Sequence, residues 1–322
     1  MSADTRVLVG DIGGTHARFA LVDTAAKPWR IEHRLDIDGD LPEPKALLRR
    51  YLDRAGLAAI PEAAAVAVAG PVTAGKVRLT NRGWEISEDE LRAFGFADGL
   101  LINDFAALAF SIAALEPTEV HLIGPNLAGL GGEPISVIGA GTGFGAACLA
   151  RFRGRSVPVA TEGGHASFAA GDAHETAVAQ ILGRRFGHVS IERVLSGPGL
   201  ENLYTALAEV SGRASQELRA ADIAARHDSD TLCRDAVEMF CAIYGAVAGD
   251  FALLHGARGG VYIAGGIAAK IETILKASAF RARFEAKGRM APYVRAIPTH
   301  LIVSEDTAFL GAASASLEFR GE

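Results

Sequence analysis

The sequence predicts an α/β protein of two domains, and three observations carry that prediction. A strand–glycine turn–strand unit occurs twice, over 7–22 and over 135–149. Short apolar strands alternate with segments of helical spacing, which is the order of an α/β domain. Between the two copies, 117–134 is enriched in glycine, proline and acidic residues and marks the crossing into a second domain.

The first unit reads Val7-Leu8-Val9-Gly10-Asp11-Ile12-Gly13-Gly14-Thr15, then Ala17 to Val22 as the returning strand. Gly13 and Gly14 are expected to take positive φ in a tight hairpin turn. Glycines without a Cβ also let an anion approach backbone N–H groups. Asp11, at the strand end, could hold a cation. An ordinary glycine hairpin explains one such unit, but a second copy at Ile138-Gly139-Ala140-Gly141-Thr142-Gly143 points to a duplicated fold whose turns each grip a phosphate of one nucleotide.

The remaining elements follow in order. A third strand is expected at 30–36 and a helix at 44–55, with Leu47, Leu48, Tyr51 and Leu52 on one face. Strands are read at 63–69 and 77–81, and Ser87 with Glu90 forms a capping box that opens a helix. A buried strand at 99–104 ends on Asn103 and Asp104, and an alanine-rich helix follows at 105–115. Beyond the second glycine unit, helices are expected at 176–186, 200–210 and 232–254. A strand-to-glycine unit follows at 259–266, a late strand at 301–304 and a last helix at 307–319.

Composition narrows the function classes. A chain of 322 residues with 49% hydrophobic content can bury a sizeable core. A net charge of −6 and a pI near 5.9 argue against a nucleic-acid or anionic-membrane surface. Cys148, Cys233 and Cys241 have no CxxC spacing and read as buried reduced thiols of a cytoplasmic protein. The first residues lack the apolar stretch of a signal peptide, and the apolar run over 100–115 is interrupted by Asn103 and Asp104.

Two motifs are decoys. Gly70 to Val77 nearly spells a phosphate-binding loop, but Val77 stands where a Mg²⁺-binding hydroxyl belongs and an extended segment follows. Gly141-x-Gly143-x-x-Ala146 matches a loose dinucleotide fingerprint, with Glu162 at a suitable distance. Yet Arg151-Phe152-Arg153-Gly154-Arg155 cuts off the helix that motif needs.

Three clusters carry acid–base or sugar-binding chemistry. Asp104 at a strand end can accept a proton from a substrate hydroxyl, or it can simply cap the next helix. Glu162-Gly163-Gly164-His165 offers a carboxylate and an imidazole to neighbouring hydroxyls, or it is a surface turn. Glu192 is a further sugar contact, or a surface ion pair with Arg193.

Taken together and in order, these motifs resemble the bacterial glucokinases of the hexokinase type, within the superfamily of actin-like sugar kinases and Hsp70 ATPases. The resemblance rests on Gly10 to Thr15, Thr80-Asn81 with Trp84, Ile102 to Phe105, Gly139 to Gly143, Glu162 to His165, Glu192 to Gly199 and Ile263 to Ile267. It implies a two-domain actin-like (ribonuclease H-like) ATPase fold with an interdomain cleft. The small α/β domain would be 1–116, joined by the C-terminal helix at about 305–322, and the large domain 117–304.

The resemblance further implies ATP-dependent phosphorylation of the glucose 6-hydroxyl with Mg²⁺. Asp104 is then the general base. Asn103, Glu162, His165 and Glu192 hydrogen-bond glucose. Gly10, Asp11, Ile12, Gly13, Gly14, Thr15, Gly141, Thr142 and Gly143 hold phosphates, with Asp11 reaching Mg²⁺ through phosphate or water. Gly265 and Gly266 lie beside the adenosine. A cytoplasmic homodimer is implied, without nucleic acid or membrane. His16 stands where the family more often has Asn. The zinc motif of the related repressor family is missing, and no helix-turn-helix domain precedes Val7. Another hexose or an amino sugar, or a non-catalytic nucleotide-gated sugar-binding module, are the alternatives.

Overall fold

The computed structural model describes residues 5–13, 16–39, 42–57, 59–79 and 83–319. Its contacts divide the chain into two compact units, one of Met1–Glu119, Phe152–Ala160 and Ser304–Glu322, the other of Val120–Arg151 and Thr161–Val303.

In the first unit, β1 (Arg6–Ile12), β2 (His16–Asp23) and β3 (Arg30–Asp38) are followed by α1 (Pro44–Ala55), β4 (Ala63–Val68), β5 (Lys76–Leu79), β6 (Trp84–Ser87), α2 (Glu88–Ala93), β7 (Asp98–Asn103) and α3 (Asp104–Ser111). The main sheet runs β3-β2-β1-β4-β7. Its β1–β2 and β2–β3 pairs are antiparallel, whereas β1–β4 and β4–β7 are parallel. Every residue of β4 is buried, as a central strand covered on both faces requires.

Strand alternation then sorts the core. Val7, Val9, Ala63 and Ala65 face one side and pack on Phe309, Ala312 and Ala313. Leu8, Ile12, Ala64, Val66 and Val68 face the other, against Leu47, Leu48 and Tyr51 of α1. The expected capping box opens α2, with the Glu90 N–H on Ser87 Oγ at 3.3 Å and the Ser87 N–H on Glu90 Oε2 at 3.1 Å.

In the rest of the chain, β8 (Val120–Leu122), β9 (Ile135–Ala140), β10 (Phe144–Phe152) and β11 (Arg155–Thr161) come before α4 (Ala173–Phe186), α5 (Gly197–Ser211), α6 (Ala220–Ala225) and α7 (Thr231–Leu254). Then come β12 (Gly260–Ala264), α8 (Gly266–Lys270), α9 (Glu272–Ala277), α10 (Phe280–Glu285), α11 (Ala291–Arg295), β13 (Thr299–Ile302) and α12 (Thr307–Phe319). Residues of β11 and α12 complete the first unit, where the Ser156 N–H reaches Glu318 Oε1 at 3.2 Å. Gly311 lets α12 close on α3, because a Cβ there would overlap the Ala107 carbonyl.

Within the second unit the strands run β10-β9-β12-β13-β8, with β9, β12 and β13 mutually parallel. The long helix α7 passes behind them. It is long and apolar enough to cross a membrane by length and composition, but most of it is buried, including Cys233, Phe240, Cys241 and Tyr244. Its Gly245 lies against the Phe280 carbonyl and admits α10. All three cysteines are buried and unbridged.

Several boundaries differ from the sequence reading for local reasons. Helix α4 starts at Ala173 because Asp172 Oδ1 accepts the Glu175 N–H at 2.8 Å. Helix α5 starts at Gly197, capped by Ser196, whose Oγ accepts the Gly199 N–H at 2.9 Å. Helix α3 ends at Ser111 rather than at 115.

Candidate active site

In the first glycine unit, β1 carries Gly10 and Asp11 to the end of a buried strand. A Cβ on Gly10 would stand 2.9 Å from Phe19 Cε1, so the Phe19 ring requires glycine there. Gly13 does not adopt the positive φ expected of it. It has no need to, because its N–H already closes the turn on the His16 carbonyl at 2.9 Å. Gly14 and Thr15 lie outside the described residues. The His16 ring pairs across to Asp38 at 2.5 Å.

Asp11 gives one carboxylate oxygen, Oδ2, to Arg18 Nη2 at 2.6 Å and Nε at 3.1 Å. Among the described residues no group of three or more His, Cys, Asp or Glu side chains could cage a metal ion. A single carboxylate with one oxygen already committed fits a Mg²⁺ whose remaining ligands are water and phosphate, and fits an all-protein site poorly.

The second glycine unit closes on a turn one residue shorter. The Gly141 N–H bonds the Gly143 carbonyl at 2.8 Å, and the Gly141 carbonyl accepts the Gly197 N–H at 2.8 Å. The turn therefore abuts the N-terminus of α5, where the helix dipole favours an anion. Gly265, with φ +91°, sits against the Ala140 carbonyl, so the Gly265-Gly266 corner and the Gly141–Gly143 turn are neighbours.

Asn103 and Asp104 sit where β7 becomes α3. Asn103 is the N-cap, while Asp104 Oδ1 shares the Phe105 N–H at 2.9 Å. Asn103 Oδ1 accepts the Phe105 N–H at 3.0 Å and the Ala106 N–H at 3.1 Å. Its amide donates to the Gly70 carbonyl at 3.2 Å and to Asp104 Oδ1 at 3.0 Å. Capping is thus done by the neighbour, which also orients the carboxylate.

The other three candidates share the second unit. Glu162 precedes a 3₁₀ turn, Gly163–His165, that His165 ends, and Glu192 lies on another, Ile191–Arg193. The Ile191 N–H reaches the Ala166 carbonyl at 2.9 Å and joins the two turns. A Cβ on Gly163 would meet the Phe251 ring at 2.6 Å, and one on Gly164 would overlap the Phe144 carbonyl, so both glycines let the turn lie flat on those residues. Glu162 and His165 are largely exposed, 3.9 Å apart. The ion pair of Glu192 with Arg193 does not form. Glu192 Oε2 instead accepts the Phe144 N–H at 2.9 Å, and Arg193 stacks on the Phe186 ring. That same oxygen occupies the space of a Cβ on Gly143.

Tyr244 escaped the sequence reading. Its hydroxyl accepts the Ala140 N–H at 3.1 Å and donates to the Ala264 carbonyl at 3.3 Å. Burial pushes this phenol well above its ordinary pKa. Nothing in the helical spacing of α7 separates Tyr244 from the other apolar residues beside it. Ser196 as a cap and Gly197 as the first helical residue were also missed, although a serine two residues before Pro198 is a helix-start signal.

Comparison with known proteins gives this geometry a class. A solved glucokinase from an Antarctic psychrotroph shares 38% identity at a TM-score of 0.89, covering 97% of this chain and 98% of that one. A glucokinase from Balamuthia mandrillaris shares the fold at a TM-score of 0.74 and 18% identity, covering 97% and 93%. The fold is that of the actin-like sugar kinases. A curated glucokinase from Caulobacter sp. (strain K31) is 49% identical over 96% of this chain and 94% of its own. The Glucokinase family model matches residues 8–318, and the chain belongs to that family of enzymes.

Proposed function

We propose that the chain transfers the terminal phosphoryl group of ATP to the 6-hydroxyl of glucose, giving glucose 6-phosphate and ADP. The observation that carries this reading is similarity to glucokinases along 8–318. Phosphoryl transfer needs in-line positioning and charge stabilisation more than covalent help from the protein. Asp104 takes the hydroxyl proton, and its orientation by Asn103 supports that role. Glu162, His165 and Glu192 hydrogen-bond glucose from their adjoining turns. Asn103 is a further glucose contact through its side-chain amide.

Backbone N–H groups of the Gly10–Thr15 and Gly141–Gly143 turns receive phosphates, and Gly265 with Gly266 borders the adenosine. Mg²⁺, when bound with the nucleotide, neutralises phosphate charge. Asp11, held by Arg18 through Oδ2, would help hold that ion through phosphate or water. The enzyme works in the cytoplasm as a homodimer, which sedimentation tests.

The deciding experiment is glucose-dependent ADP formation with several sugars and phosphate donors in parallel. Glucose with ATP is expected to be fastest. Preference for another hexose or an amino sugar would replace the substrate, and ADP release indifferent to every sugar would favour a nucleotide-gated binding module.

A further inference from the structure

One buried hydroxyl links two corners that the proposed function assigns to the nucleotide. β9 and β12 are parallel neighbours, paired up to Gly139 and Ala264. Beyond that point both chains turn away, one into Gly141 and the other into Gly265. The Tyr244 hydroxyl stands at the divergence. It takes the Ala140 N–H and gives its own proton to the Ala264 carbonyl. A phenol can accept and donate at once, and no apolar side chain of that shape can.

The ring completes the arrangement. It packs edge-on to Phe144 at 6.1 Å, to Phe240 at 5.9 Å and to Phe280 at 6.0 Å. Tyr244 therefore touches the residue before the Gly141–Gly143 turn through its hydroxyl and the residue after it through its ring. The Phe144 N–H then leads to Glu192.

We propose that Tyr244 is a positioning residue for the nucleotide: it fixes the separation of the Gly141–Gly143 turn from the Gly265–Gly266 corner, and hence the fit to phosphates and adenosine together. The inference rests on the assignment of those two corners under the proposed function. A ligand touching both corners senses their spacing, whereas glucose, bound by side chains on the 3₁₀ turns, senses it weakly.

The test compares Tyr244→Phe with Val237→Ala. Val237 is a fully buried residue about two turns from Tyr244 on the same helix, and its truncation loosens the core while leaving the Tyr244 hydroxyl in place. Affinities for ADP and for glucose are measured separately by calorimetry, with circular dichroism to confirm folding. Tyr244→Phe is expected to weaken ADP binding about tenfold, as loss of a buried hydrogen-bonded hydroxyl predicts, and to leave glucose affinity within about twofold. Val237→Ala should lower the melting temperature and leave ADP affinity unchanged.

ADP affinity unaltered in Tyr244→Phe, or equally weakened in Val237→Ala, overturns the inference. A wild-type protein that binds no ADP overturns the corner assignment instead. Hydrogen exchange on the wild type covers a Tyr244→Phe protein that fails to fold. ADP should slow exchange at Ala140 and at 265–266 together, and slowing at only one corner counts against the coupling.

Discussion

Arg18 grips a single oxygen of Asp11 with two nitrogens, Nη2 at 2.6 Å and Nε at 3.1 Å. Its remaining nitrogen, Nη1, donates to the Glu305 carbonyl at 3.0 Å, and its guanidinium lies over the Phe309 ring. One side chain thus joins the end of β1 to the start of α12. Both partners of the ion pair are about a quarter exposed, so its worth falls between the surface and buried limits. Arg18→Gln is expected to lower unfolding free energy by about 1–2 kcal/mol in urea titrations and to weaken Mg²⁺–nucleotide binding more than glucose binding. Arg18→Lys should recover little of either, because an ammonium cannot reproduce the fork.

Asp104→Ala should keep the fold, since Asn103 Oδ1 still caps α3 once the Asp104 bond to the Phe105 N–H is lost. Turnover should drop by roughly two to four orders of magnitude, the usual contribution of a general base. Glucose affinity should change little. Steady-state kinetics together with a glucose titration check this, and near wild-type turnover would remove Asp104 from the role.

Arg283 meets the buried Glu175 through Nη1 at 2.6 Å and Nη2 at 3.1 Å, while the Gly171 N–H reaches Glu175 Oε2 at 2.6 Å. The carboxylate raises the Arg283 pKa through this bond. Arg283→Met leaves a carboxylate in the interior without its cation, at a cost of about 3 kcal/mol. Replacing both residues with apolar ones should cost less than Arg283→Met alone, and a double-mutant cycle by denaturant unfolding measures the difference.

Acid should destabilise the protein through two histidines. Burial lowers the pKa of His255 and of His300 below the ordinary 6.5. His255 shares a hydrogen bond with Ser136 Oγ at 3.0 Å, and His300 stacks on Tyr262 with centroids 4.6 Å apart. The unfolded chain binds protons at these groups more readily than the folded one. Their stabilising contribution is therefore complete above pH 6.5 and is lost as the pH falls through the unfolded value toward the lower folded one. Urea unfolding at about pH 7.5 and about pH 5.5 should show the loss, and His255→Asn with His300→Asn should reduce the pH dependence.

Much of this fold was legible because its elements carry strong periodicity or explicit stops. Helix α12 matched its expected bounds, and the capping box at Ser87 and Glu90 appeared as read. Helix starts at Asp172 and Ser196 were set by single side-chain bonds and were placed late in the reading. The site was legible as residue types at strand ends. What spacing could not convey was which group satisfies which. Asn103 caps where Asp104 was considered, Gly13 keeps an ordinary backbone, and Glu192 turns to an amide rather than to Arg193. Those outcomes depend on neighbours distant in sequence, such as Phe144 for Glu192, and Tyr244 is silent in sequence for the same reason.

The first unit is completed by its last segment. The side of its sheet bearing Val7, Val9, Ala63 and Ala65 is covered by Phe309, Ala312 and Ala313. On the ribosome these strands emerge well before α12, the helix that covers them. Between those two moments the nascent chain carries an uncovered apolar face. Chaperone dependence and losses to aggregation should therefore track the arrival of α12 rather than that of any strand.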